Sequence, residues 1–138
     1  MYCFTSRNKK LKQPPLKILL VDDSSIILQR VEQMLNESLV IEEIKITNNG
    51  EDAILITQTF QPHLILLDIC LPRKSGVKVL RHLKSNFPHI KIIMLTTQPA
   101  DQYKDLCIQY GADAFMDKAS DFESVPTIIK QLMAGEPV

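Results

Sequence analysis

Four short apolar runs punctuate this chain, and each one ends on polar residues. Lys17-Ile18-Leu19-Leu20-Val21 runs into Asp22-Asp23, and Leu64-Ile65-Leu66-Leu67 runs into Asp68. Lys91-Ile92-Ile93-Met94-Leu95 ends at Thr96-Thr97, and Ala114-Phe115-Met116 at Asp117-Lys118. Short, unbroken runs rich in Leu and β-branched residues read as strands buried on both faces. A fifth segment, Val40 to Thr47, alternates more weakly through Ile41, Ile44 and Ile46. It reads as a strand with one poorer face, at a sheet edge.

Helical spacing fills the intervals. Ser24 and Ser25 are N-cap candidates for helix 1, which carries Ile27, Val31, Met34 and Leu35 on one stripe to about Ser38. The turn Asn48-Asn49-Gly50 precedes helix 2, Glu51 to Phe60, with Ala53, Ile54 and Ile56 inward and Gln61-Pro62-His63 as its stop. Pro72 and Gly76 lead into helix 3, marked by Val77, Leu80 and Leu83 and ended near Asn86 by Phe87-Pro88. Helix 4 places Tyr103, Leu106, Cys107 and Tyr110 on one face, with Gly111 as its C′ residue. Helix 5 carries Val125, Ile128, Ile129 and Leu132; Pro126 fits only its first turn, so it starts near Ser124.

Strict alternation of buried strands with helices predicts an α/β fold with a parallel sheet covered on both faces. Right-handed crossovers leave few topologies. For five strands the expected order is 2-1-3-4-5, a flavodoxin-like doubly wound sheet with five helices on two faces. Ligands of such sheets bind beyond the carboxyl ends of the strands, here in the crevice between strands 1 and 3.

Composition narrows the class. The chain has 138 residues and 45% hydrophobic content, enough for one ordinary domain with a real core. No apolar run approaches the roughly 20 residues of a membrane span, so no membrane insertion is expected. The net charge is zero, but Arg7, Lys9, Lys10 and Lys12 all fall in a leader without acids. Residues 1–15 read as a flexible basic tail and residues 16–136 as the domain, which is left acidic. The leader has no apolar h-region and too little charge for direct nucleic-acid binding. Cys3, Cys70 and Cys107 are odd in number and scattered, which points to a reducing, cytoplasmic setting.

The strand ends carry the chemistry. Asp22, Asp23, Asp68, Thr96 and Lys118 fall on one edge of the predicted sheet. Two carboxylates about 4 Å apart repel by roughly 4 kcal/mol at an effective dielectric of 20, and a divalent cation relieves this. A hard, all-oxygen set suits Mg²⁺; without His or paired thiolates it does not suit zinc. Asp68 is then a nucleophile toward a phosphoryl group, Asp22 and Asp23 hold the metal, and Thr96 and Lys118 bind oxygens of the transferred group. The bland reading makes the acids helix caps and Lys118 a surface lysine, but it leaves the convergence unexplained.

These stretches resemble the receiver domain of two-component response regulators over about residues 16–134. The match rests on Ile18-Leu19-Leu20-Val21-Asp22-Asp23-Ser24, on Leu66-Leu67-Asp68-Ile69-Cys70-Leu71-Pro72 with Gly76, on Ile93-Met94-Leu95-Thr96, and on Gly111 to Lys118. The resemblance implies that Asp68 is the phosphoacceptor and that the backbone carbonyl of Cys70 joins Asp22, Asp23 and Asp68 around Mg²⁺. Thr96 and Phe115 would form the switch pair, which repacks the face of helix 4, strand 5 and helix 5. Cys70 and Gln98 occupy the variable positions that tune phosphoryl lifetime. A histidine kinase or histidine phosphotransfer protein is the implied donor, an unknown downstream protein the reader, and monomer or weak dimer the expected state. Beyond its own phosphorylation and dephosphorylation, no enzymatic activity is implied.

Two departures stand out. The family usually has Pro after the lysine, on a cis bond; here it is Ala119, and a cis bond before a non-proline residue costs about 3 kcal/mol, so trans is expected. Thr97 replaces the small residue usual after the switch threonine. Little chain follows helix 5, so the protein either acts alone through a binding face or is the receiver part of a longer DNA-binding regulator. Rivals from other classes fit less well. An aspartate-nucleophile phosphatase wants an acid two residues after Asp68, where Cys70 stands, and a flavodoxin-like cofactor binder wants a Ser/Thr/Gly-rich phosphate loop where Asp22 and Asp23 stand.

Overall fold

The computed structural model describes residues 14–97 and 101–135. The expectations for the basic tail through residue 13 and for Gln98 lie outside the described residues. The strands are β1 (Leu16–Val21), β2 (Ile41–Thr47), β3 (Leu64–Asp68), β4 (Lys91–Thr96) and β5 (Ala114–Asp117). The helices are α1 (Ser25–Ser38), α2 (Gly50–Phe60), α3 (Gly76–Asn86), α4 (Asp101–Gln109) and α5 (Val125–Met133), with a 3-10 turn at Phe122–Ser124 before α5. All pairings are parallel and the sheet order is β2-β1-β3-β4-β5, as the alternation predicts.

The two-residue period of the strands divides the core. Ile18, Leu20, Leu64, Leu66, Ile93 and Leu95 face α1 and α5, meeting Val31, Leu35, Val125 and Ile129. Leu19, Val21, Ile65, Leu67, Ile92 and Met94 face the other way, meeting Ala53, Val79, Leu80, Leu83 and Cys107. Every residue of β3 is buried, whereas β2 at the edge leaves Ile46 41% exposed, in line with its weaker alternation.

Local signals set the helix starts. The Ser24 hydroxyl accepts from the Ile27 N–H, the Asn49 side chain from the Asp52 N–H, and the Ser75 hydroxyl from the Lys78 N–H. Each such cap contributes about 1 kcal/mol. Gly76 has a different reason to be glycine: a Cβ there would collide with the carbonyl oxygen of Asp68. Its absence lets α3 start hard against the end of β3. Gly111 takes φ +98 after α4, as its C′ assignment predicts.

One expectation needs adjustment. Of the α4 stripe, Cys107 is fully buried, but Tyr103 is 40% exposed. The stripe therefore reaches past the core. His63 is exposed, and its Nδ1 accepts the Lys17 N–H at 3.0 Å and so ties the start of β1 to β3.

Candidate functional site

Parallel strands carry all their carboxyl ends to one edge of the sheet. Asp22 follows β1, Asp68 closes β3, Thr96 closes β4 and Lys118 follows β5. Asp22, Asp68, Thr96 and Lys118 are all buried, while Asp23 is exposed. The five residues singled out from sequence are thus brought to one place.

The contacts are specific. The Lys118 ammonium pairs with Asp22 Oδ2 and lies 3.2 Å from Asp68 Oδ2. Asp22 Oδ1 accepts the Ser24 N–H at 2.9 Å, so the first carboxylate is held at both oxygens. Asp68 Oδ1 accepts the Cys70 N–H at 3.2 Å. The Lys118 N–H donates to the Thr96 carbonyl at 2.8 Å, which fixes the lysine against the end of β4.

Charge is unbalanced. Three carboxylates face one ammonium, and one oxygen from each of Asp22, Asp23 and Asp68 lies within 4.8 Å of the others. Burial pushes the Asp68 carboxyl above its ordinary value and nearby Asp22 adds to that, against the opposing pull of Lys118 and the Cys70 N–H. Burial also works against the charge on Lys118, but its hydrogen bond to Asp22 and the negative charges of Asp68 and Asp22 outweigh it, and its pKa lies above the ordinary lysine value. Three hard oxygen donors drawn together against their own repulsion fit a divalent cation such as Mg²⁺. The same donor set lacks the nitrogen and sulfur ligands that zinc prefers.

Phe115 sits two residues before Asp117, which pairs with Thr96 across the β4–β5 ladder. By strand alternation Thr96, Met94 and Phe115 share one face of the sheet. Phe115 is half-buried there, packed on the side of Met94 and Cys107.

The loop after Lys118 answers the departure at Ala119. No described peptide bond is cis. Asp117 Oδ1 accepts the Ala119 N–H at 2.7 Å and the Ser120 N–H at 3.4 Å, and Asp121 Oδ2 accepts the Asp117 N–H at 2.9 Å. Proline at 119 would lack the N–H that Asp117 uses, so side-chain turns replace the proline.

Sequence reasoning missed one element that aligns the site. At the opposite edge Asp113 Oδ2 accepts from the Lys84 ammonium at 2.7 Å and from the Ile92 N–H at 2.9 Å, and Lys84 also donates to the Ile90 carbonyl at 2.8 Å. This clamp fixes α3 to the starts of β4 and β5. The only sequence signal was an acid immediately before an apolar strand.

Comparison with known proteins agrees with this arrangement. The sequence model for the response regulator receiver domain matches residues 18–130. The response regulator GacA of Pseudomonas aeruginosa is 26% identical over 88% of this chain and 56% of its own length. The transcriptional regulatory protein DegU of Brevibacillus brevis is 23% identical over 93% of this chain and 54% of its own. The chain spans about half the length of these curated relatives. Among solved structures, a CheY-like response regulator receiver domain protein from Methanospirillum hungatei JF-1 superposes with a TM-score of 0.81 at 26% identity, covering 88% of this chain and 96% of its own. With the strand order, the strand-end acids and the matched span all in agreement, this chain belongs to the receiver domain family of two-component response regulators.

Proposed function

We propose that Asp68 accepts a phosphoryl group from a phosphohistidine of a histidine kinase or histidine phosphotransfer protein, with Mg²⁺ held by Asp22, Asp23, Asp68 and the backbone carbonyl of Cys70. The observation that carries this reading is the setting of Asp68, a buried carboxylate 3.2 Å from the Lys118 ammonium and within 4.8 Å of two further acids. Aspartate phosphorylation and Mg²⁺ binding are general to the family. Mg²⁺, when bound, neutralises the carboxylates and the charge on the transferred group.

The chain's own residues do the rest. One Asp68 oxygen attacks phosphorus, the P–N bond breaks, and its electron pair returns to the donor imidazole. The product is an acyl phosphate. Lys118, pinned by Asp22, and the Thr96 hydroxyl each donate to an oxygen of the transferred group. The charge newly placed beside Thr96 biases Thr96 and Phe115 toward a second packing, which α4, β5 and α5 present to a partner. A groove of about 500 Å³ opens on that face, with Ile108 53% exposed beside Phe115 and Ile128.

We place the protein in the cytoplasm, as a monomer or weak dimer that acts on no substrate besides its own phosphoryl group. Among the described residues no helix is long and apolar enough to cross a membrane. A second reading, the receiver of a longer DNA-binding regulator, is favoured by the greater length of relatives such as DegU. The reading frame of the parent gene decides between them. The function itself is tested by incubation with acetyl phosphate and Mg²⁺, read by intact mass. The parent gains one phosphoryl group, Asp68→Asn gains none, and EDTA blocks uptake. Equal labelling of Asp68→Asn, or indifference to EDTA, overturns the reading.

A further inference from the structure

A second feature of the surface is unused by this mechanism. Between α3 and α4 lies a groove of about 650 Å³ that begins at Cys70 and Leu71, just behind Asp68. Tyr103, Leu106 and Tyr110 form one wall. They recur at i, i+3 and i+7 on the face that also carries the buried Cys107, and the core uses only part of that face. Ile69, Leu71 and Val77 extend the apolar surface on the other side.

The rim is cationic. Arg73 comes from the loop after β3, and Lys78 and Arg81 stand one turn apart on α3. All three are exposed, and among the described residues no carboxylate lines the groove. Among the described residues, none of the three forms an ion pair. Arg81 instead lies over the Tyr110 ring at 5.2 Å, in cation–π range within the groove. Arg73 adopts φ +69, in the left-handed region that glycine fills most easily. A charged residue held in that conformation at the mouth of a groove is an outlier of the kind found at ligand clamps.

We propose that the α3–α4 groove docks an acidic amphipathic segment of a partner protein. Its apolar side chains would lie on the tyrosine and leucine wall, and its carboxylates would meet Arg73, Lys78 and Arg81. Charge complementarity selects this occupant. A basic segment is repelled by the rim, and a free anion leaves the apolar wall unused. The groove lies on the flank of α4 away from the α4–β5–α5 face, so the two surfaces can be occupied independently.

The test is a titration of the full chain with a fluorescein-labelled helical peptide that repeats Leu at i, i+3 and i+7 and carries Glu at the flanking positions. A version with Lys for every Glu, a single-stranded oligothymidine and inorganic phosphate are run beside it. Anisotropy gives affinity, and amide shifts in two-dimensional NMR give location. Expected is binding of the Glu peptide alone, with shifts confined to residues 70–81 and 103–110. The double variant Lys78→Glu, Arg81→Glu should weaken it at least tenfold with an unchanged melting curve. Arg73→Gly should weaken it several-fold with undiminished Tm. The proposal is overturned if the Glu and Lys peptides bind alike, if the oligonucleotide binds more tightly, or if equimolar phosphate displaces the peptide. Shifts on the α4–β5–α5 face overturn it too, as does a dimer that the double variant dissolves.

Discussion

The two edges of the sheet carry the same ingredients in opposite proportion. At the amino-terminal edge one carboxylate, Asp113, meets two ammonium groups, Lys84 at 2.7 Å and Lys91 at 3.9 Å. Asp113 also accepts the Ile92 N–H, and Lys84 donates to the Ile90 carbonyl as well. At the carboxyl-terminal edge three carboxylates share one ammonium. The first arrangement is closed and holds elements together. The second keeps repulsion in reserve, which a cation and a phosphoryl group can relieve. Proximity of Lys and Asp is therefore no mark of function in this molecule; the imbalance is.

The largest expected effect follows from removing the one cation of the unbalanced edge. Lys118→Ala leaves Asp22 and Asp68 buried without a partner and should cost about 3 kcal/mol by urea unfolding in EDTA. Saturating Mg²⁺ should restore much of that. Lys84→Ala at the balanced edge should cost about 1–2 kcal/mol, because Asp113 keeps the Ile92 N–H and Lys91. Mg²⁺ should not restore it, and phosphoryl uptake should stay at the parent rate. Equal rescue of both variants by Mg²⁺ would erase the distinction between the edges.

pH sharpens the same contrast. A carboxyl whose folded pKa lies above its unfolded value, as for Asp68, favours the folded state below the ordinary value of 3.8. That contribution is lost as pH rises through the raised folded value. Asp68→Asn removes the titration. Its stability advantage over the parent in EDTA should therefore be smallest below pH 4 and grow toward neutrality, as followed by Tm against pH. A constant or shrinking advantage would contradict the burial of an unbalanced charge.

The smallest effect concerns the thiols. Cys107 is fully buried on the inner face of α4, and burial pushes its thiol up to about 11. Cys70 is exposed beside the acidic edge. Maleimide labelling at pH 8, read by peptide mapping, should favour Cys70 over Cys107 by on the order of 100-fold in the folded protein.

Much of this was legible before any coordinates. Unbroken runs such as Leu64 to Leu67 mark buried strands, because only a sheet covered on both faces hides every residue. Parallel order then sends Asp22, Asp68, Thr96 and Lys118 to one edge without further information. Other features depend on long-range geometry that local patterns do not carry. Asp113 looks like a loop acid until α3 brings Lys84 to it from 29 positions away. Tyr103 and Tyr110 keep helical spacing, but spacing does not say whether anything covers them. The proline-free turn at Ala119 required knowing that Asp117 and Asp121 close it.

The central claim, that Asp68 is where the phosphoryl group lands, is tested most directly by borohydride trapping. After reaction with acetyl phosphate and Mg²⁺, borohydride reduces an aspartyl phosphate to homoserine, and peptide sequencing by mass spectrometry reads the position. The account predicts homoserine at position 68, dependent on both reagents. Reduction at Asp22 or Asp23 instead, or a phosphoryl group found on a residue other than aspartate, would contradict it.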